Sequence, residues 1–191
     1  MIFKKYGRKK SGTTMAEMPL ALWILILGIA FPLIIMIMMT VKFGLFWNAA
    51  RDACKQAVQA QTFSGPPPQG GLSAIDTAEN VANNAASSFT GITLLPGPDG
   101  RMAQVRILKT DLITGNTTIL ALNQKLTGSE APADIENFYY AIQVVLEGQI
   151  EPFLNHPGID LSAAPVPGLT VPFRVTVSSQ FPFENVQGLD D

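Results

Sequence analysis

The 191 residues hold one cysteine and one histidine, and that scarcity excludes much chemistry. A single thiol, Cys54, makes no disulfide within the chain. His156, alone in the loop sequence Asn155-His156-Pro157-Gly158, gives no histidine cluster for zinc and no cysteine–histidine pair for nucleophilic catalysis. The glycines fall in turns, without the strand, glycine-rich loop and helix that hold a phosphate or a dinucleotide. Glu147 and Glu151 are two carboxylates in an acidic region and make a weak glycosidase-like pair. Asn116-Thr117-Thr118 matches a glycosylation sequon but sits in a tight hairpin. The expectation is a protein that is not an enzyme and needs no cofactor or metal.

Charge is also missing where it matters most. From Met18 to Val41 the chain carries none for 24 residues. At about 1.5 Å per residue a helix of that length covers roughly 36 Å, enough for a hydrocarbon core of about 30 Å. Five of the first ten residues are basic (Lys4, Lys5, Arg8, Lys9, Lys10), which keeps that end cytoplasmic and sends the chain after Val41 across the membrane. Residues 56–191 hold five basic and thirteen acidic residues, a net charge of −8. Such a domain lacks the basic stripe that nucleic acid requires. The apolar run exceeds the h-region of a cleaved secretory signal, and no small-residue cleavage site follows it.

The apolar pattern outlasts the span. Phe43, Phe46, Trp47, Ala50, Cys54, Ala57 and Val58 recur at helical spacing, with Arg51, Asp52, Lys55 and Gln56 on the other side. The spacing predicts one helix from about Thr14 to about Phe63, in lipid over its first half and packed on a soluble domain over its second. Ser64–Gly71, SGPPPQGG, is the linker that ends it. Pro32 removes one hydrogen bond inside the span and is the candidate helix kink. Glu17 stands alone before the apolar run, where a carboxylate favours the start of a helix.

Residues 72–191 read as an exported α+β domain. A second helix runs from about Ser73 to Phe89: Ser73 and Asp76 form a capping pair, and Ile75, Ala78, Val81, Ala82, Ala85 and Phe89 make its apolar stripe. Strands are expected at residues 102–113, 117–126, 136–150 and 169–181, with a hairpin at TGNT. Phe138, Tyr140, Ile142, Val144 and Leu146 mark the core face of the third, and Pro172 sets the last at an edge. The result is a mostly antiparallel sheet of about four strands packed on the N-terminal helix. Residues 151–168 form a proline-rich loop.

Gly12 precedes Glu17 by five residues, with a basic stretch before the glycine and the apolar run directly after the glutamate. This order resembles the type IV prepilin signal. The continuation MAEMPLALWILILGIAFPLI…KFGLFWNAARDACKQAV resembles the TadE-like pilins of the tight-adherence (Tad, or Flp) pilus system. The likeness covers roughly residues 8–62, and the remainder only in architecture. It implies a basic leader of residues 1–12 removed by a prepilin peptidase between Gly12 and Thr13. It makes Glu17 the fifth residue of the mature chain, paired with the new α-amino group in assembly. It further implies a pilin-like fold and a single-pass protein of the bacterial inner membrane with a periplasmic domain. The implied partners are membrane lipid, the peptidase, other pilins or pseudopilins and the Tad assembly platform. Major Flp pilins are shorter and place tyrosine where this chain has Met18, so the likeness implies a minor pilin or pseudopilin of a type IVc pilus. Two other readings stand beside it: a single-span anchored domain with a binding role, and a type II secretion pseudopilin.

Overall fold

The computed structural model describes residues 13–128, 133–152 and 165–191, with side chains from Met18 onward. The chain divides into two units, one ending at Thr40 and one beginning at Val41. The first is helical: α1 covers Thr13–Leu25, a π-helical turn covers Ile26–Ala30, and α2 begins at Phe31 and runs to Ala57. The π turn lies directly before Pro32. Proline has no N–H for the Gly28 carbonyl, and the N–H of Phe31 reaches back five residues to Ile26. The sequence signal at Pro32 thus marks where the backbone leaves α pitch. Trp23, Leu27, Ile29 and Ile37 are all more than half exposed, as lipid-facing side chains would be.

The second unit is an α+β fold with an antiparallel sheet. Its strands are β1 (Ile92–Leu95), β2 (Ala103–Asp111), β3 (Thr117–Ile119), β4 (Phe138–Ile150) and β5 (Phe173–Pro182). β4 is central. Along one side it pairs with β5, Ile150 opposite Phe173 and Ala141 opposite Pro182. Along the other it pairs with β2 and then β1, which lie end to end: Ala103 faces Leu146 and Leu95 faces Glu147. β1 and β2 are therefore one strand interrupted by a seven-residue excursion, Pro96–Met102. The sequence reading expects four strands and overlooks β1, a four-residue apolar run too short to show alternation. The returning strand is also shorter than expected. β3 stops at Ile119, yet Leu120 and Asn123 still donate to Ile107 and Val105 of β2.

The C-terminal half of α2 packs on the even-numbered face of β4. Phe46, Ala49, Ala50, Ala53, Cys54 and Ala57 are buried there. Four alanines let the helix approach the sheet closely, and the one large side chain meets a gap made for it. The Phe46 ring lies over Gly148, where a Cβ would stand 2.7 Å from Cζ. At about 1.5–3 kcal/mol for a buried aromatic or aliphatic side chain, Phe46 is a main anchor of this seam. Phe43 and Trp47, expected on the buried face, are 46% and 42% exposed. The face is rotated toward Ala49 and Ala53, and Trp47 instead carries the Arg51 guanidinium 5.6 Å above its ring.

The helix ends at Ala57, six residues before the predicted Phe63. Gln59 and Ala60 make tighter i→i−3 bonds, and the chain then leaves to pair elsewhere. Phe63 donates to Gly188 at 2.8 Å, while Ser64 and Gly65 donate to the Asp191 carbonyl. A 3₁₀ turn, Val186–Asp190, returns the end of the chain to this segment, and Leu189, Phe63 and Leu126 share the buried space. Tertiary pairing outweighs the helical propensity of VQAQTF here. α3 (Ala74–Ser88) matches its expectation closely: the Ser73 hydroxyl oxygen caps it by accepting from the Asp76 amide at 3.2 Å, and Ile75, Ala78 and Ala82 are buried.

The β2–β3 turn is held by one carboxylate. Asp111 Oδ1 accepts from the amides of Ile113 and Thr114 at 2.7 and 2.9 Å. The Thr114 bond, and then the Ile113 bond, hold this carboxyl below its usual 3.8. A depressed folded pKa means the stabilisation is present above the unfolded value and is lost as pH falls through the folded one. Followed by carbon NMR in detergent, the Asp111 carboxyl should titrate below 3.8. A midpoint at or above that value would show that the turn lacks this bond.

Candidate functional site

The sequence-predicted site residues lie in the first unit. Thr13 and Glu17 are one turn apart in α1, so helical spacing sets positions 13 and 17 on one face. Gly12 lies outside the described residues, as do His156 and most of the loop at 151–168. Pro32 follows the π turn. Met18–Ala57 is the one helix among the described residues long and apolar enough to cross a membrane, and it stands near the N-terminus.

In the second unit several carboxylates hold the backbone in place. The excursion between β1 and β2 is clamped to α3. Asp76 pairs with Arg101 at 3.0 Å, and the Glu79 carboxylate accepts from the amides of Met102 and Ala103 at 3.0 and 2.8 Å. Asp99 bonds Asn123, whose Oδ1 in turn accepts from the Val105 amide at 2.8 Å. The Asp76–Arg101 pair is about half exposed and adds little by itself; the amides held by Glu79 fix where β2 begins. The sequence reading missed this cluster because its members are scattered over some fifty residues and only the β1–β2 excursion joins them.

Cys54 is buried, and its Sγ donates to the Ile142 carbonyl at 3.3 Å. Burial pushes the thiol up to about 11, partly offset by backbone hydrogen bonds. At neutral pH it is a small packing residue rather than a nucleophile. Glu147 and Glu151 stand four residues apart along an extended chain, roughly 13 Å between Cα atoms. Glu151 borders an open cavity of about 440 Å³ together with Thr93, Gln149, Pro152, Thr170 and Pro172. Its backbone is engaged, with the N–H donating to Gly91 and the carbonyl 3.5 Å from Lys42 Nζ. Among the described residues no three histidine, cysteine, aspartate or glutamate side chains are grouped to hold a metal ion.

The described residues thus hold an exposed apolar helix near the N-terminus and, within the second unit, a buried alanine-rich helix face against the sheet. No family model, no curated protein and no solved structure matches this chain.

Proposed function

We propose that the protein is a minor pilin or pseudopilin that takes part in assembling a Tad-type pilus. In this reading a prepilin peptidase cuts after Gly12, and the chain stays in the inner membrane with the leader cytoplasmic and the sheet domain periplasmic. The observation that carries the reading is the order along the sequence: Gly12, then Glu17, then an uncharged run, with a buried alanine-rich helix face beyond it. An anchored domain needs only the run. A subunit that packs side by side with others also needs a defined terminus and a way to neutralise it. Cutting after Gly12 gives Thr13 a free α-amino group among apolar helices. A carboxylate one turn along, from the same or an adjoining subunit, offsets that cation. The α+β architecture with its long N-terminal helix supports the reading as well.

The test is processing. Co-expressed with a prepilin peptidase, the wild-type chain should lose its leader, and Gly12→Ala should accumulate as the uncut precursor on a gel. Equal cleavage of both proteins, or of neither, would refute the assignment of Gly12.

A further inference from the structure

The folded unit begins at Val41, the last residue of the uncharged run, and Lys42 is its first charge. Whatever surrounds Lys42 in this unit therefore stands where the bilayer ends, if the run spans it; the inference rests on that reading. Lys42 Nζ reaches the Glu151 carbonyl, and a Cβ on Gly91 would stand 2.7 Å from it. Gly91 and Glu151 close one end of the sheet, where β1 starts, β4 finishes and β5 starts, Ile150 being paired with both Ile92 and Phe173. The chain entering β5 at that end, Pro165-Val166-Pro167-Gly168-Leu169-Thr170-Val171-Pro172-Phe173, contains no charge. It is a tight turn, with Gly168 donating to Val171 at 2.7 Å and Thr170 to Val166 at 2.9 Å. Yet Val166 and Phe173 are 46% and 40% exposed. Phe43 and Trp47, half-exposed, follow Lys42 on the helix.

We propose that the turn Val166–Phe173 rests in the headgroup layer of the bilayer, so that the domain contacts the lipid surface at a second place besides its helix. Uncharged, proline-rigidified and apolar, the turn has little to offer water. Val166 and Phe173 supply the side chains that partition into an interface, and Lys42 and Arg174 supply cations for lipid phosphates beside the acids Glu147 and Glu151 of this end. The opposite end of the sheet differs. There Asp111 and Asp134 tie down the β2–β3 turn and the entry to β4, roughly 40 Å away along the thirteen residues of β4.

Single cysteines at Val166, Ile113 and Ile29, each in a Cys54→Ala background and carrying an environment-sensitive fluorophore, test this in phosphatidylcholine vesicles with nitroxide-labelled lipids. All three side chains are exposed, so labelling leaves the core intact. The Ile29 probe should be quenched by acyl-chain nitroxides, and the Val166 probe by headgroup-proximal ones. The Ile113 probe should stay in water, with the Val166 quenching roughly twofold or more above it. Quenching at Ile29 with none at Val166 would overturn the lipid contact and leave the span standing. No quenching at Ile29 would remove the span, and the contact with it.

Discussion

Gly188→Val should cost the folded unit about 3 kcal/mol, the upper part of the range for overpacking a core. A Cβ at this position would overlap the backbone carbonyl oxygen of Gln61 and stand 3.2 Å from the Thr62 Cα. Neither neighbour is a flexible side-chain tip that could turn aside. Both belong to the segment whose next residue, Phe63, donates to the Gly188 carbonyl, so relief of the overlap breaks that bond too. Leu189, fully buried against this closure, would lose its place. For a unit of this size the melting temperature, followed by near-ultraviolet circular dichroism in detergent, should fall by roughly 6–12 °C. Gly44→Ala is the control of opposite sign. That helical glycine has nothing within 4 Å of a new Cβ, and alanine should leave stability unchanged or raise it by about 0.5–1 kcal/mol. An unshifted melt in Gly188→Val would mean that the C-terminal turn does not close the domain.

Glu17→Ala should separate processing from assembly. The carboxylate lies past the proposed scissile bond, so cleavage after Gly12 should continue. The mature terminus would then present an ammonium with no counter-charge to the helices around it. Removing one partner of a buried pair costs roughly 3–5 kcal/mol. Expressed as association that is roughly 150-fold to 5,000-fold at each subunit contact. Surface pili counted by electron microscopy should be lost while processed subunit remains in the membrane. Glu17→Asp should recover part of the count, because it keeps the charge and shortens only the reach. Normal piliation in Glu17→Ala would remove the role assigned to this residue.

Particular residues explain why some of this architecture is legible in the sequence and some is not. α3 is legible because its signals are local: Ser73 and Asp76 meet across one helical turn, and Ile75, Ala78 and Ala82 repeat at its pitch. β4 is legible because Tyr140, Ile142, Val144 and Leu146 alternate to the buried side, and it occupies the central position its second apolar face implies. The end of α2 is not legible. Nothing within residues 58–63 forbids a helix; what stops it is Gly188, more than a hundred residues away. The same holds for β1, which is a strand because Glu147–Ile150 of β4 offer it partners, and for the rotation that leaves Phe43 and Trp47 outside the seam. At the N-terminus the dependence is reversed. The Gly12–Glu17 spacing is a property of the sequence alone, and the fold contributes the helix in which positions 13 and 17 are one turn apart.

The mass of the N-terminal peptide of membrane-extracted protein tests the account most directly. Material from cells with an active prepilin peptidase should begin at Thr13, with the basic leader absent. A peptide that still begins at Met1 would contradict the pilin reading and leave a domain anchored by one apolar helix.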